Sequence, residues 1–233
     1  MVGTNDIRIV TFDCYGTLVD SAGGSGAFLY DLALRQRDPD PPPGWTLRDR
    51  LEAIQFELIQ GAYLSYREVL AQSLRRYFAE RNYTWDQREA DAYVRSMGCW
   101  QPFPDTRAAL QRVHDAGLRL AIISNTDRDI MAHTLRQLAL PFEAAITAEE
   151  CHAYKPDPAV FDHALSRLGQ GPAHVLHVAF GYKYDIATAQ RLGLHTAWVN
   201  RRGESVPGAT RPDFTWRDLW GLADFAEDVA GQR

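Results

Sequence analysis

The stretch IRIVTFDCYGTLVD, residues 7–20, decides the fold. Its first half is a short run rich in β-branched residues, with too few polar residues to leave one face in water, and such a run is typical of a strand inside a covered parallel sheet. Asp13 ends this run, and Tyr15 and Thr17 follow it. Because ligands gather at the carboxyl ends of the strands in open α/β sheets, Asp13 is predicted to lie in a ligand site.

Further runs of the same kind occur along the chain, at residues 118–125, 144–147, 174–180 and 195–200. Between them, apolar residues recur at three- and four-residue spacing, as in RDIMAHTLRQL at 128–138, and this spacing predicts amphipathic helices. Strands that alternate with helices indicate an α/β fold with a doubly wound, mostly parallel sheet.

The segment between the first two runs breaks this alternation. Apolar residues at helical spacing form one face over 47–58 and another over 69–78, which predicts an inserted group of helices. The stretch DPDPPPGW, residues 38–45, is predicted as a rigid linker, because proline fixes φ and donates no hydrogen bond. The stretch SAGGSG, residues 21–26, is predicted as a hinge. The predicted division is a catalytic core, residues 1–18 and 101–233, and a helical cap, residues 19–100.

Composition disfavours several classes of protein. A net charge of −5 and a pI near 5.8 disfavour nucleic acid as a partner. Three cysteines without CxxC or Cys/His spacing indicate neither disulfides nor a zinc site. The first residues show no leader pattern, and no apolar run is long enough to span a bilayer. We therefore predict a cytoplasmic protein that does not bind membranes.

Polar side chains stand at or just beyond the ends of the predicted strands. Asp13 ends the first strand, Ser124 and Asn125 end the second, Lys155 follows the third, and Asp185 lies beyond the fourth. Because the carboxyl ends of parallel strands meet at one edge of a sheet, these side chains are expected to converge. An ammonium group beside Asp13 would hold this carboxylate ionised and would hold Asp185 in register. The pattern predicts an enzyme site.

Four segments, in this order, resemble the motifs of the haloacid dehalogenase superfamily. They are DCYGTLVD at 13–20, IISN at 122–125, YKPDP at 154–158 and AFGYKYD at 179–185. The resemblance covers nearly the whole chain and implies a Rossmann-like core with a cap inserted after the first motif. It implies that Asp13 attacks the substrate to form a covalent ester, which water then hydrolyses, and that Lys155, Asp185 and Ser124 complete the catalytic set, with Asp185 as the nearest base.

Two positions distinguish hydrolysis at carbon from hydrolysis at phosphorus. Phosphatases of the superfamily look like DxD at the first motif and GDSxxxD at the last, where the carboxylates protonate the leaving oxygen and bind magnesium. This chain has Tyr15 and Phe180 there. A phenol with a pKa of about 10 is a poor acid near neutral pH, and a halide leaving group needs no proton. The pattern favours a hydrolase that acts at carbon without metal or another cofactor.

The first motif, DxYGT, is most similar to that of the L-2-haloacid dehalogenase branch, which implies a small carboxylic acid as substrate. That branch uses an arginine early in the cap to bind the carboxylate and halide. Arg35 is the residue predicted for this role, and Arg37 and Arg67 are the alternatives. FGYKYD departs from the SSNxWD of the branch, so Tyr182 or Lys183 is expected in place of its water-orienting asparagine. The other predicted substrate-binding residues are Tyr15, Thr17, Asn125 and Phe180.

Other interpretations stay open. The same aspartyl ester would open a strained cyclic amino acid such as azetidine-2-carboxylate. A magnesium-dependent phosphatase and a non-catalytic protein on the same fold are further alternatives. A homodimer is an open alternative to a monomer.

Overall fold

A parallel sheet occupies the centre of the protein. The computed structural model describes residues 6–207 and 210–231. The strands are β1 Ile9–Phe12, β2 Arg119–Ser124, β3 Ala144–Thr147, β4 Val175–Ala179, β5 His195–Val199 and β6 Phe214–Trp216, in the order β3-β2-β1-β4-β5-β6. Every neighbouring pair is parallel. The predicted α/β fold is confirmed, and β1 lies between β2 and β4.

Both faces of the sheet are covered, because successive side chains of a strand point to opposite sides. Val10 and Phe12 belong to one apolar cluster, whereas Ile9 belongs to another on the opposite face. The helices after the insert are α5 Thr106–Asp115, α6 Arg128–Leu138, α7 Ala148–Cys151, α8 Pro158–Leu168, α9 Ala187–Arg191 and α10 Trp220–Gly231. This arrangement explains why the strands read as almost uninterrupted apolar runs.

The short edge strand β6 does not follow from the apolar pattern. Its three residues are partly or fully exposed, so the burial that marks the inner strands is missing. Phe214 and Trp216 stack at 5.4 Å between ring centroids, and Phe225 of α10 packs on both. Aromatic packing with α10 and pairing with β5 therefore define this strand.

The insert contains four helices in the order α1 Ser21–Arg35, α2 Gly44–Ile59, α3 Tyr66–Arg81 and α4 Gln87–Met97. The predicted apolar faces of α2 and α3 are buried. Helices α1 and α2 approach closely where Gly26 meets Gly44, since a Cβ on Gly44 would lie 2.5 Å from the Gly26 carbonyl oxygen. All four helices fall within residues 19–100, and the division of the chain into two domains stays a prediction.

The predicted hinge at residues 21–26 is wrong, because these residues form the first turns of α1. The Asp20 carboxylate accepts a hydrogen bond of 2.8 Å from the Gly23 amide and caps the helix. At Gly24, a Cβ would lie 2.3 Å from Cδ1 of Trp100. The glycines allow close packing at this position rather than backbone motion. No helix within residues 6–207 and 210–231 is long and apolar enough to cross a membrane.

Candidate active site

Asp13 is held from both sides at the end of β1. Its Oδ1 accepts a hydrogen bond of 3.0 Å from Lys155 Nζ, and its Oδ2 accepts one of 2.8 Å from Thr17 Oγ1. Thr17 also accepts from the Phe180 amide at 2.8 Å, which ties the loop after β1 to the loop after β4. Gly16 makes this turn possible with a φ of 95°, a conformation that side chains disfavour.

Lys155 lies between α7 and α8 with a side chain that is only 1% exposed. Besides Asp13, its Nζ donates to Asp185 Oδ1 at 2.6 Å and to the Ile123 carbonyl at 2.8 Å. These bonds use all three donors of the ammonium group. Asn125 fixes the Lys155 backbone, since its side chain accepts from the Lys155 amide at 2.7 Å and donates to the carbonyl at 2.9 Å.

A buried histidine that the sequence patterns did not indicate completes the network. His177 Nε2 lies 3.0 Å from Asp185 Oδ1, and Nδ1 lies 2.9 Å from Thr11 Oγ1. Because an ionised carboxylate only accepts, Nε2 carries the proton. His177 is the second histidine of the run HVLHVAF and interrupts its apolar residues, which was the available signal. His177 and Lys155 together hold Asp185 behind the nucleophile.

The ionisation of this cluster follows from burial and from the shared ammonium group. Burial raises the pKa of Asp13, while Lys155 and Thr17 oppose that rise. Burial also disfavours the charge of Asp185, but Lys155 and His177 lower the pKa of this carboxyl below its usual value. Burial alone would lower the pKa of Lys155, whereas the two carboxylates raise it. Asp185 is therefore a weak proton acceptor, and its main effect is to fix Lys155.

A cavity of about 140 Å³ lies between this cluster and the insert. Core residues that line it include Asp13, Ser124, Asn125, Lys155, Phe180 and Asp185. Ser124 Oγ is buried and has no hydrogen-bond partner among the described residues. The space suits a small molecule, and this hydroxyl is available to it.

Tyr15 lines the same cavity, but its hydroxyl is engaged elsewhere. The hydroxyl lies 2.9 Å from Thr134 Oγ1, and the ring packs edge-on against Trp100. Burial raises the pKa of Tyr15 well above its ordinary value. The phenol stays neutral, and its ring forms part of the cavity wall.

The opposite wall comes from the insert, which several contacts join to the core. The Asp127 carboxylate accepts from the backbone amides of Tyr66 and Arg67, at 2.8 and 2.9 Å, where α3 begins. Phe56 of α2 packs edge-on against Tyr184, with ring centroids 5.2 Å apart. Helix α2 thereby contributes Arg48, Glu52, Gln55 and Ile59 to the wall.

The structure brings most of the predicted residues to the cavity, but three lie elsewhere. Arg35 is partly exposed in the last turn of α1, where it pairs with Asp31 and Glu89. Tyr182 packs against Trp198 outside the cavity, because the π-helical turn Tyr182–Ile186 directs Tyr184 inward instead. Thr17 is fully buried behind Asp13 rather than in the cavity wall.

Arg48 is the cap arginine that reaches the cavity, and its side chain is 14% exposed. Arg48, Glu52, Gln55 and Ile59 are spaced by four, three and four residues, so they share one face of α2. That spacing shows that the four residues share a face, but not that this face meets the cavity. Arg35, the arginine predicted from the sequence, does not line the cavity, whereas Arg48 does.

The fold and the buried cluster are those of a hydrolase with a Rossmann-like core. A family model described as haloacid dehalogenase-like hydrolase matches residues 7–193. The chain belongs to this family, as its four motifs predicted.

Several relatives are dehalogenases. Haloacetate dehalogenase H-2 of Moraxella sp. (strain B) is 27% identical over 216 residues, which cover 90% of this chain and 93% of the relative. (S)-2-haloacid dehalogenase 4A of Burkholderia cepacia is 26% identical over 208 residues, 85% of each protein. A crystal structure of an L-2-haloacid dehalogenase, 24% identical, superposes with a TM-score of 0.82 over 95% of this chain and 99% of that one. These relatives confirm the predicted resemblance to the L-2-haloacid dehalogenase branch.

Proposed function

We propose that this protein hydrolyses small 2-haloacids without a metal ion, with Asp13 as the nucleophile. The observation that carries the proposal is the Asp13 carboxylate itself. It lines the cavity with a side chain that is 13% exposed, and each of its oxygens accepts a hydrogen bond from a fixed donor. A carboxylate positioned in this way can attack a carbon atom held in front of it.

In the first step, an Asp13 oxygen forms a bond to C2 of the substrate while the carbon–halogen bond breaks. The halide leaves with the electron pair, so no acid is needed. This fits the environment of Tyr15, whose hydroxyl lies 2.9 Å from Thr134 Oγ1 and whose pKa is raised by burial, so the phenol is a poor proton donor. The product of the step is an ester of Asp13.

In the second step, water adds to the carboxyl carbon of Asp13, and the bond from that carbon to the substrate oxygen breaks. The alkoxide takes one proton and leaves as a 2-hydroxy acid, while a second proton passes to solvent and the Asp13 carboxylate is restored. Lys155 and Thr17 already donate to the two carboxyl oxygens, so they stabilise the negative charge that develops there. Asp185 acts through Lys155 because its lowered pKa makes it a weak base.

Recognition of the substrate carboxylate is assigned to Arg48 and Ser124. Lys155 has no donor left for a substrate, whereas Arg48 lies in the wall formed by the insert and Ser124 Oγ has no partner among the described residues. Arginine matches the planar geometry of a carboxylate. The site therefore combines a nucleophile on the core with an anion-binding group on the insert.

Arg48→Gln is expected to lower kcat/KM for chloride release from 2-chloropropanoate by roughly ten- to a hundredfold, the effect of losing a charge-assisted hydrogen bond. Arg35→Gln is the matched control, because Arg35 is also a cap arginine but pairs with Asp31 and Glu89 away from the cavity. It should retain the activity of the unmodified protein. A loss in Arg35→Gln and none in Arg48→Gln would reverse the assignment.

The magnesium phosphatase alternative is less consistent with the donors present. Tyr15 and Phe180 replace two carboxylates, and the remaining pair, Asp13 and Asp185, shares the Lys155 ammonium group. Within residues 6–207 and 210–231, no three His, Cys, Asp or Glu side chains gather as a metal site would require. A hard divalent cation, which prefers several oxygen ligands, does not fit this donor set.

An assay of 2-chloropropanoate and an aryl phosphate, each with and without EDTA, tests the proposed reaction. We expect chloride release at a rate that EDTA leaves unchanged, and little release of phosphate. Phosphate release that needs Mg²⁺ and exceeds chloride release would instead establish the phosphatase. The cytoplasmic location and the homodimer stay predictions.

A further inference from the structure

A third carboxylate, Glu52, lines the cavity on the side of the insert. Its side chain is 30% exposed, and Oε2 lies 2.6 Å from Arg48 Nη1. The two residues are four apart on α2, so both face the space in front of Asp13. Neither the nucleophile nor the lysine network requires a carboxylate at this place.

The charges that line the cavity leave the negative charge of a simple haloacid only partly compensated. Among the described lining residues, Asp13, Glu52 and Asp185 are negative and Arg48 and Lys155 are positive, three against two. The wall therefore has an excess of one negative charge before a substrate enters. A monoanionic haloacid would add a second one to a largely buried space, where like charges repel strongly.

Competition for Arg48 adds to this problem. Lys155 is saturated by Asp13, Asp185 and the Ile123 carbonyl. Arg48 is therefore the lining cation within reach of a substrate carboxylate, and it already pairs with Glu52. An anion bound to Arg48 would lie beside the Glu52 carboxylate. A substrate with a positive group near its own carboxylate would satisfy both Arg48 and Glu52 and leave the total charge unchanged.

We propose that Glu52 selects substrates that carry an ammonium group beside the carboxylate, that is, small zwitterionic amino acids with a leaving group on the carbon that Asp13 attacks. This inference rests on the proposed function. Arg48 binds the carboxylate, Glu52 accepts from the ammonium group, and the covalent steps remain those given above. The strained cyclic amino acids that the sequence leaves open as substrates are also zwitterions, and in them the bond that breaks is the one from the attacked carbon to the ring nitrogen, which takes the electron pair and stays in the product as an amine.

Two compounds that differ only by an amino group test the inference, namely 2-chloropropanoate and 3-amino-2-chloropropanoate. Chloride release is measured with the unmodified protein and with Glu52→Gln, which keeps the shape and removes the charge. We expect the unmodified protein to prefer the amino compound. In Glu52→Gln, the ratio of kcat/KM for the amino compound to that for 2-chloropropanoate should fall by roughly ten- to a hundredfold.

Glu57→Gln is the matched control, because Glu57 lies on the same helix but is 64% exposed and 3.7 Å from Arg76. In Glu57→Gln, the ratio of kcat/KM for the amino compound to that for 2-chloropropanoate should equal the ratio for the unmodified protein. Thermal unfolding of both variants checks that the fold is retained.

Calorimetric binding of 3-aminopropanoate and propanoate gives a readout that needs no turnover. If the unmodified protein prefers 3-aminopropanoate and Glu52→Gln loses this preference, the inference is supported, even without turnover. Absence of chloride release from both chloro compounds would contradict only the proposed reaction. An unchanged ratio in Glu52→Gln, in turnover or in binding, would overturn the inference and leave Glu52 as a partner of Arg48 alone. Turnover of 2-chloropropanoate with that unchanged ratio would leave the proposed function intact.

Discussion

Asp13→Asn is expected to lower kcat for chloride release by about 10⁴-fold or more, as the loss of a nucleophile does in other enzymes that form covalent intermediates. The amide keeps the size of the side chain, but it lacks the negative oxygen that attacks C2. Asp115→Asn is the control, since Asp115 ends α5 with a side chain that is 65% exposed. It should leave kcat unchanged, and both variants should unfold at the temperature of the unmodified protein or close to it.

The aspartyl ester is tested directly by a single turnover in ¹⁸O-labelled water with the enzyme in excess. The product oxygen should come from Asp13, so the label should appear in the Asp13 carboxylate and not in the released hydroxy acid. Label that enters the product in the first turnover would show direct attack by water. In that case Asp13 would act as a base, and the two covalent steps would be incorrect.

Lys155→Met is expected to lower the free energy of unfolding by about 3–5 kcal/mol, because it leaves the carboxylates of Asp13 and Asp185 buried without their shared cation. The variant should also be inactive, since the pKa of Asp13 would rise further. Denaturant unfolding measures the stability, and chloride release measures the activity.

Lys183→Met provides the control, because residues 155 and 183 are the two lysines of the chain. Lys183 is exposed and lies over the rings of Phe56 and Tyr184, so its loss should change stability by about 1 kcal/mol or less. Adding Asp185→Asn to Lys155→Met should recover part of the lost stability by removing one unpaired charge. If the two lysine substitutions changed the free energy of unfolding by the same amount, the buried ammonium group would have no structural role.

The core side of the site could be predicted from the sequence because strand ends are visible in it. A run of apolar residues that stops at Asp13 or Ser124 locates a strand end, and parallel strands bring these ends together. The position of Lys155 could be predicted in a similar way, because this residue follows β3 closely in the chain. The physical basis is local for Asp13 and Ser124, which lie where their strands end, whereas the short helix α7 separates Lys155 from β3.

The insert side could not be predicted in the same way. Which face of α2 meets the cavity depends on how the helices pack against the core, through contacts such as those of Asp127 with the start of α3. Arg35 and Arg48 are both early in the insert, and only the docked helices distinguish them. The glycines at 21–26 predict a hinge because the sequence does not show that Trp100 packs on Gly24 or that Gly26 packs on Gly44.

The central position of β1 has a consequence for how the protein is synthesised. The strand that ends at Asp13 pairs with β2, more than a hundred residues later, and with β4, which begins at residue 175. Contacts this distant in sequence form slowly and only after the intervening chain is available. A nascent chain released before β4 would lack Asp185 and one hydrogen-bonded neighbour of β1. Catalytic activity is therefore expected only after β4 and Asp185 have been synthesised, and its appearance during translation would report that both neighbours of β1 have paired with it.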